Sequence, residues 1–173
     1  MSQNEAWKLS QMELVGVDRR RWNAVHDVVA TAFGRADEAK LVEKLRAGGT
    51  VALELAAQMP DAAVGHILFS ELGVDPPSRR IAALAPLSVA PAWQNRGVGG
   101  ALIREGLARC ASMGIDAVAV LGDVDYYIRF GFSLETAASL KSIFSGPHYL
   151  AVELRPGALA GGVWRVAYAS AFD

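Results

Sequence analysis

Apolar residues in this chain follow two rhythms: a spacing of three or four residues in some stretches, and short alternating or unbroken apolar runs in others. Lys8 to Val15 predicts a first strand. Asp18 can cap a helix whose apolar positions Trp22, Val25, Val28, Val29, Ala32 and Phe33 recur at helical spacing until Gly34. A second short helix is expected over Asp37 to Arg46, with Leu41, Val42 and Leu45 toward the core and Gly48-Gly49 as its stop. Val51 to Ala57 and Ala63 to Ser70 read as strands joined through Met59-Pro60-Asp61, and Leu72 to Arg80, with Pro76-Pro77, reads as a loop. Ile81 to Val89 predicts a strand buried on both faces, followed by a helix from Val98 to about Met113 that ends near Gly114. Ala117 to Leu121 is the next strand. Such a strand–helix–strand unit requires a right-handed crossover that packs its helix on the sheet, and Gly106 marks close approach between the two. A short helix around Val124 to Phe130, an irregular stretch over Glu135 to Pro147, and late strands at Tyr149 to Leu154 and Val163 to Tyr168 complete the pattern. Antiparallel strands first and a βαβ unit second predict an α/β fold built on a mixed sheet flanked by helices.

Composition narrows the function. With 173 residues, 52% of them hydrophobic, the chain suits one domain over 1–173 that needs no metal or disulfide to hold its core. The net charge is −1 and the longest basic run is Arg19-Arg20-Arg21, so the field that draws proteins to nucleic acid is missing. No apolar run approaches the ~20 residues of a membrane span, and Met1 to Ser10 lacks a charged-then-apolar leader, so a cytoplasmic protein is expected. Cys110 is the sole cysteine, which excludes an intrachain disulfide, and its place in a periodic helix predicts packing rather than reactivity. His26, His66 and His148 are isolated and form no metal-ligand cluster, so no metal is expected. Val163, Trp164 and Val166 are apolar residues that either cover the core or pair with a second copy, and a homodimer is compatible with them.

The chemistry concentrates at one junction. Gln94-Asn95-Arg96-Gly97-Val98-Gly99-Gly100 follows the Ile81 to Val89 strand and opens the next helix, which is the sequence form of a phosphate cradle. Glycines without a Cβ let an anion approach the backbone, and free N–H groups at a helix start bind its oxygens. An anionic cofactor follows. A dinucleotide fingerprint would need glycine where Leu102 stands, and no Gly-Lys-Ser/Thr of a P-loop occurs. The spacing that fits is Gln94-x-x-Gly97-x-Gly99 after Leu87-Ser88-Val89-Ala90-Pro91, with Tyr126-Tyr127-Ile128-Arg129-Phe130-Gly131-Phe132 downstream. The first segment resembles the pyrophosphate-binding motif of the GNAT superfamily of acyl-CoA-dependent N-acyltransferases, and the second its Tyr-x-x-x-Gly-Phe segment. The resemblance covers about residues 8 to 154 and is strongest over 81–132.

It implies a mixed, mostly antiparallel sheet with a V-shaped opening that admits the pantetheine arm of acetyl-CoA. It also implies that main-chain groups of Leu87, Ser88 and Val89 pair with pantetheine amides, and that Gln94, Asn95, Arg96, Gly97, Val98, Gly99 and Gly100 hold the pyrophosphate. The amide of Val89 or its neighbour is then placed to polarise the thioester carbonyl. Many relatives carry Asn just after the fifth strand; this chain has Gly122-Asp123, which leaves Asp123 as the remaining pantetheine contact there. Tyr127, four residues before Gly131, takes the general-acid position, ahead of Tyr126. A phenol at ~10 donating to a thiolate at ~8.5 is uphill by ~2 kcal/mol, which a site offsets by lowering the tyrosine pKa. For the base that takes the amine's proton, Glu54, His66 and Glu71 lie on or near the bordering strands, with Glu71 first at its strand end and a water chain the alternative. The reaction expected is transfer of acetyl from acetyl-CoA to a primary amine, on a small molecule or a protein, by direct attack in a ternary complex. The competing readings are a non-catalytic acyl-CoA-binding regulatory module and a Rossmann-like nucleotide binder.

Overall fold

The computed structural model describes residues 10–34 and 37–173. A six-stranded sheet runs in the order β1-β2-β3-β5-β6-β8, comprising β1 (Glu13–Gly16), β2 (Val51–Gln58), β3 (Ala63–Glu71), β5 (Ile81–Val89), β6 (Ala117–Leu121) and β8 (Tyr149–Glu153). All neighbouring pairs are antiparallel except β5 with β6. The mixed, mostly antiparallel sheet is therefore as the sequence predicts. The first strand is Glu13–Gly16, later than the Lys8 to Val15 expected, and Lys8 and Leu9 lie outside the described residues.

Alternation along the strands sends residues to two faces. On one face, Leu55, Ile67 and Phe69 pack with Leu102, Ile103 and Cys110 of α3 (Val98–Ser112). On the other, Ala56 meets Val25 and Val29 of α1 (Trp22–Phe33), and Leu68 meets Val42 and Leu45 of α2 (Asp37–Ala47). Gly34 ends α1 in the left-handed conformation that glycine adopts without strain. Asp18 does accept from a backbone amide, that of Arg20, but what it caps is a 3₁₀ turn, Arg19–Arg21, ahead of α1.

Two parts of the chain read as irregular carry short elements. Leu72 to Arg80 contains β4 (Gly73–Asp75), and Glu135 to Pro147 contains most of α5 (Leu134–Ala137) together with β7 (Leu140–Lys141). With β9 (Trp164–Ala167) they form a second sheet, β4-β9-β7. Its Trp164 and Val166 pack with Ile81, Ala83, Ala117 and Ala119, so these C-terminal apolar residues cover the core. Val163 remains exposed.

Gly106 sits where α3 presses on the sheet: a Cβ there would lie 2.4 Å from the Phe69 ring. In an open helix, Gly→Ala stabilises by up to about 1 kcal/mol. Here the ring is walled in by β2 and α3, so Gly106→Ala should instead destabilise by about 1–3 kcal/mol through overpacking, measured by urea denaturation.

Candidate active site

The sheet opens where β5 and β6 part. They pair only from Ile81 with Ala117 to Ala83 with Ala119, although β5 continues to Val89 and β6 to Leu121. The cause lies in β5, which is irregular against β3 between the pairs Phe69–Leu84 and Ile67–Leu87, so that Ala85 and Pro86 form a bulge. A bulge bends its strand, and proline offers no N–H to a ladder. Beyond it, β5 stays paired to β3 through Leu87, Ser88 and Val89, and its opposite edge faces the gap.

Below the mouth of the gap, the chain turns through Asn95 (φ 57°) and Gly97 (φ 87°) into α3. Asn is among the few side chains that tolerate this left-handed region, and glycine adopts it freely. Gly97 is the N-cap and no side chain caps the helix, while the first return bond is Ala101 N–H to the Gly97 carbonyl at 2.9 Å. The amides of Val98, Gly99 and Gly100 are thus at the unsatisfied end of a 15-residue helix, where the macrodipole favours an anion. Gln94 donates from Nε2 to the Val89 carbonyl at 3.1 Å and ties the loop back to β5. Arg96 lies 6.0 Å from the Trp93 ring on the same loop.

These residues border a cleft of about 580 Å³ that runs from the helix start to Leu87, Val89, Tyr126 and Phe130. Among the described residues, its charged lining is Arg104 and Arg129, with no carboxylate. Both arginines were missed in the sequence: Arg104 lies one helical turn past Gly100 and Arg129 stands inside the tyrosine segment, so spacing alone could have found them. Their guanidinium groups lie 5.7 Å from the Phe130 ring. Backbone donors, two cations and close access at glycine fit a polyanionic pyrophosphate ligand.

The two tyrosines occupy different depths. Tyr126 lines the cleft at its phosphate end, its hydroxyl 2.6 Å from the point a Gly99 Cβ would occupy. Tyr127 packs over Gly122 at the end of β6 and edge-on against Phe132, with ring centroids 5.6 Å apart. Burial, reinforced by Tyr126 and Asp123, pushes its phenol up to about 12, opposite to the lowering expected of a tuned acid. Burial also raises Tyr126, against which Arg129 and Arg104 act.

Two expected site residues are elsewhere engaged. Asp123 accepts from the Tyr126 amide at 2.9 Å as N-cap of α4 (Val124–Tyr127), and it is absent from the cleft lining; a carboxylate beside a polyanion would also be repelled. Glu71 pairs with Ala82 near the start of β5 and is ion-paired to Arg80. Val89 lies seven residues farther along β5, or about 23 Å at ~3.3 Å per residue, which removes Glu71 as the base. Cys110 is buried in α3 with its thiol pushed up to about 12 by desolvation, as packing requires. Among the described residues, no group of histidine, cysteine and acidic side chains is arranged to hold a metal.

The other two base candidates, Glu54 and His66, form a buried cluster on the α1–α2 face. His66 is fully buried, and its Nε2 lies 2.7 Å from Glu54 Oε1. Arg46 of α2 donates to both Glu54 oxygens, at 3.1 and 2.5 Å, and stacks 4.8 Å from the Trp22 ring. Burial pushes the Glu54 carboxyl up, but the bonds from His66 and Arg46 outweigh it and hold the group below its usual range. Burial depresses His66 more than Glu54 raises it, so the imidazole is neutral. A depressed folded pKa means that the unfolded chain takes up a proton first as pH falls, both through ~6.5 for histidine and through ~4.3 for glutamate. Stability should therefore be present above pH 7 and decline on acidification from about pH 6.5. Urea denaturation at pH 7.5 and 5.0 should show the loss, smaller in His66→Gln.

The acetyltransferase (GNAT) family profile matches residues 21–132. The uncharacterized N-acetyltransferase YjhQ of Escherichia coli (strain K12) is 41% identical over 121 residues, which span 66% of this chain and 66% of that protein. The fold is similar to that of a GNAT family N-acetyltransferase, YhbS, from Escherichia coli in complex with CoA, with a TM-score of 0.87 and 28% identity over 94% of this chain and 92% of that one. A GNAT family acetyltransferase from Brucella melitensis in complex with acetyl-CoA matches with a TM-score of 0.79 and 30% identity over 94% and 98% of the two chains.

Proposed function

The chain belongs to the acetyltransferase (GNAT) family, and on that premise we propose that it transfers the acetyl group of acetyl-CoA to a primary amine by direct attack in a ternary complex. The observation that carries this reading is the joining of an uncapped helix start to the opening between β5 and β6 in one carboxylate-free cleft. The pyrophosphate would rest on the amides of Val98, Gly99 and Gly100, flanked by Arg104 and Arg129. The pantetheine would extend along the free edge of Leu87 to Val89 toward the closed end of the V.

Attack by the amine nitrogen forms a C–N bond and moves the carbonyl electron pair to oxygen, where an amide on the Leu87 to Val89 edge of β5 stabilises it. Collapse breaks the C–S bond, and the thiolate takes a proton. Tyr127, which packs behind the cleft lining against Gly122 and Phe132, is the proposed donor because it stands at the β6 side of the opening, whereas Tyr126 stands at the phosphate end. Cys110 is buried and protonated, which favours direct attack over a cysteine-linked acyl-enzyme.

Thiol release from acetyl-CoA, measured across a panel of small amines, peptides and aminated antibiotics, tests the reading. Amine-dependent release with an acetylated product by mass spectrometry is expected. Tight CoA binding with no turnover on any amine would favour the regulatory module instead.

A further inference from the structure

Successive glycines at the start of α3 face two different sides of the phosphate cradle. A Cβ on Gly99 would meet the Tyr126 hydroxyl, Val89 and Leu87, the side of the β5 edge. A Cβ on Gly100, about 100° farther round the helix, would instead lie 3.3 Å from a terminal nitrogen of Arg104 and 3.4 Å from the Phe130 ring. A bound pyrophosphate joins two arms of the cofactor. With pantetheine leaving toward β5, the nucleotide arm must leave past Gly100, where Arg104, Phe130 and Arg129 wall the cleft.

Both arginines are set to receive an anion. Arg104 rests its guanidinium 5.7 Å from the Phe130 ring and makes no hydrogen bond or ion pair among the described residues. A ring face supports a guanidinium without using its N–H groups. Arg129 lies 5.7 Å from the same ring and 4.5 Å from that of Tyr126, and its Nε donates to the Tyr126 carbonyl at 3.1 Å. Among the described residues, the terminal amino groups of both thus remain for an acceptor. Two like charges around one phenyl ring repel each other, and no described carboxylate lines the cleft to balance them. Arg96, on the preceding loop, is not part of that wall.

The nucleotide arm supplies the balancing charge. Each phosphorus of a pyrophosphate diester carries a single negative charge, which the Val98, Gly99 and Gly100 amides and the helix dipole meet with neutral donors. A phosphate monoester carries about −1.5 to −2 at pH 7 and three acceptor oxygens, a match for two guanidinium forks.

We infer that Arg104 and Arg129 bind the ribose 3′-phosphate of CoA and make that group a requirement for the acyl donor, a role that rests on the acetyl-CoA dependence proposed above. The acyl donors are then CoA thioesters. Molecules that lack the group, such as 3′-dephospho-CoA and carriers ending in phosphopantetheine, bind weakly.

Calorimetric titration of the full chain with CoA and with 3′-dephospho-CoA tests the assignment. The wild type should bind CoA at least tenfold more tightly than dephospho-CoA, with the margin shrinking as salt rises. Both arginines are exposed, so the double variant Arg104→Gln, Arg129→Gln should fold. Its CoA affinity should fall at least tenfold while its dephospho-CoA affinity changes less than twofold, which erases the preference. In ³¹P NMR of bound CoA, the 3′-phosphate should titrate below its ordinary second pKa of ~6 in the wild type and return to it in the variant. Equal wild-type affinities for the two ligands, or an unshifted 3′-phosphate titration, overturn the assignment while leaving the acetyltransferase intact. Equal losses for both ligands in the variant also overturn it and give the arginines to the pyrophosphate. A chain that binds neither ligand overturns the proposed activity and the assignment with it.

Discussion

Tyr127→Phe is expected to lower kcat and kcat/KM for acetyl transfer together by about 10²–10⁴-fold, with acetyl-CoA affinity nearly unchanged. The pattern follows from when the proton moves. A general acid acts as the C–S bond breaks, so its loss raises the barrier without disturbing the bound ground state. The phenol at about 12 is protonated across the working pH range, which keeps the donor loaded. Against a thiol at ~8.5, however, donation is uphill by ~3.5 units, close to 5 kcal/mol. The bound thiolate must therefore be made more basic, as desolvation between β5 and β6 would do. Tyr126→Phe removes a hydroxyl from the phosphate end of the cleft and should weaken CoA binding by less than tenfold, with little change in kcat. Full turnover in Tyr127→Phe, with chemistry shown to be rate-limiting, would transfer the role to Tyr126 or water.

Gly99→Val should weaken CoA binding at least tenfold, about 1.4 kcal/mol, while changing stability less. A Cβ at this position points at the Tyr126 hydroxyl, 2.6 Å away, and at Val89, 3.6 Å away, so it projects into the space between the helix start and β5. Two further methyl groups would fill the approach to the Val98–Gly100 amides. Calorimetric titration of the folded variant is the check. Unchanged affinity there would mean that the phosphates bind elsewhere.

The phosphate loop and its helix were legible because glycine placement, strand and helix periods all agree over Ile81 to Met113. The opening above the loop was implied only by resemblance, yet its physical origin is in the sequence: Pro86 interrupts a strand that otherwise reads as continuous. Strands of two or three residues, β4 and β7, are too short to show a period, and they form only because β9 lies between them. Asp123 was misread because an N-cap and a ligand draw on the same residue types. The error over Glu71 had a different source. In an antiparallel pair, the end of β3 meets the start of β5, so a residue at the end of β3 lies farthest from the helix that follows β5. The burial of His66 was hidden by a strand apolar on both faces, where no alternation reveals which side a polar residue takes.

The central claim is that CoA lies with its phosphates at the start of α3 and its pantetheine along the free edge of β5. Amide NMR of the ¹⁵N-labelled chain during CoA titration tests it most directly. The largest shifts should fall on Val98, Gly99 and Gly100, with Leu87 to Val89 moving at the same saturation and Glu71 and Arg80 unmoved. Saturating CoA that leaves the Val98–Gly100 amides unshifted, or that moves mainly the Glu71–Arg80 end of the sheet, would contradict the account.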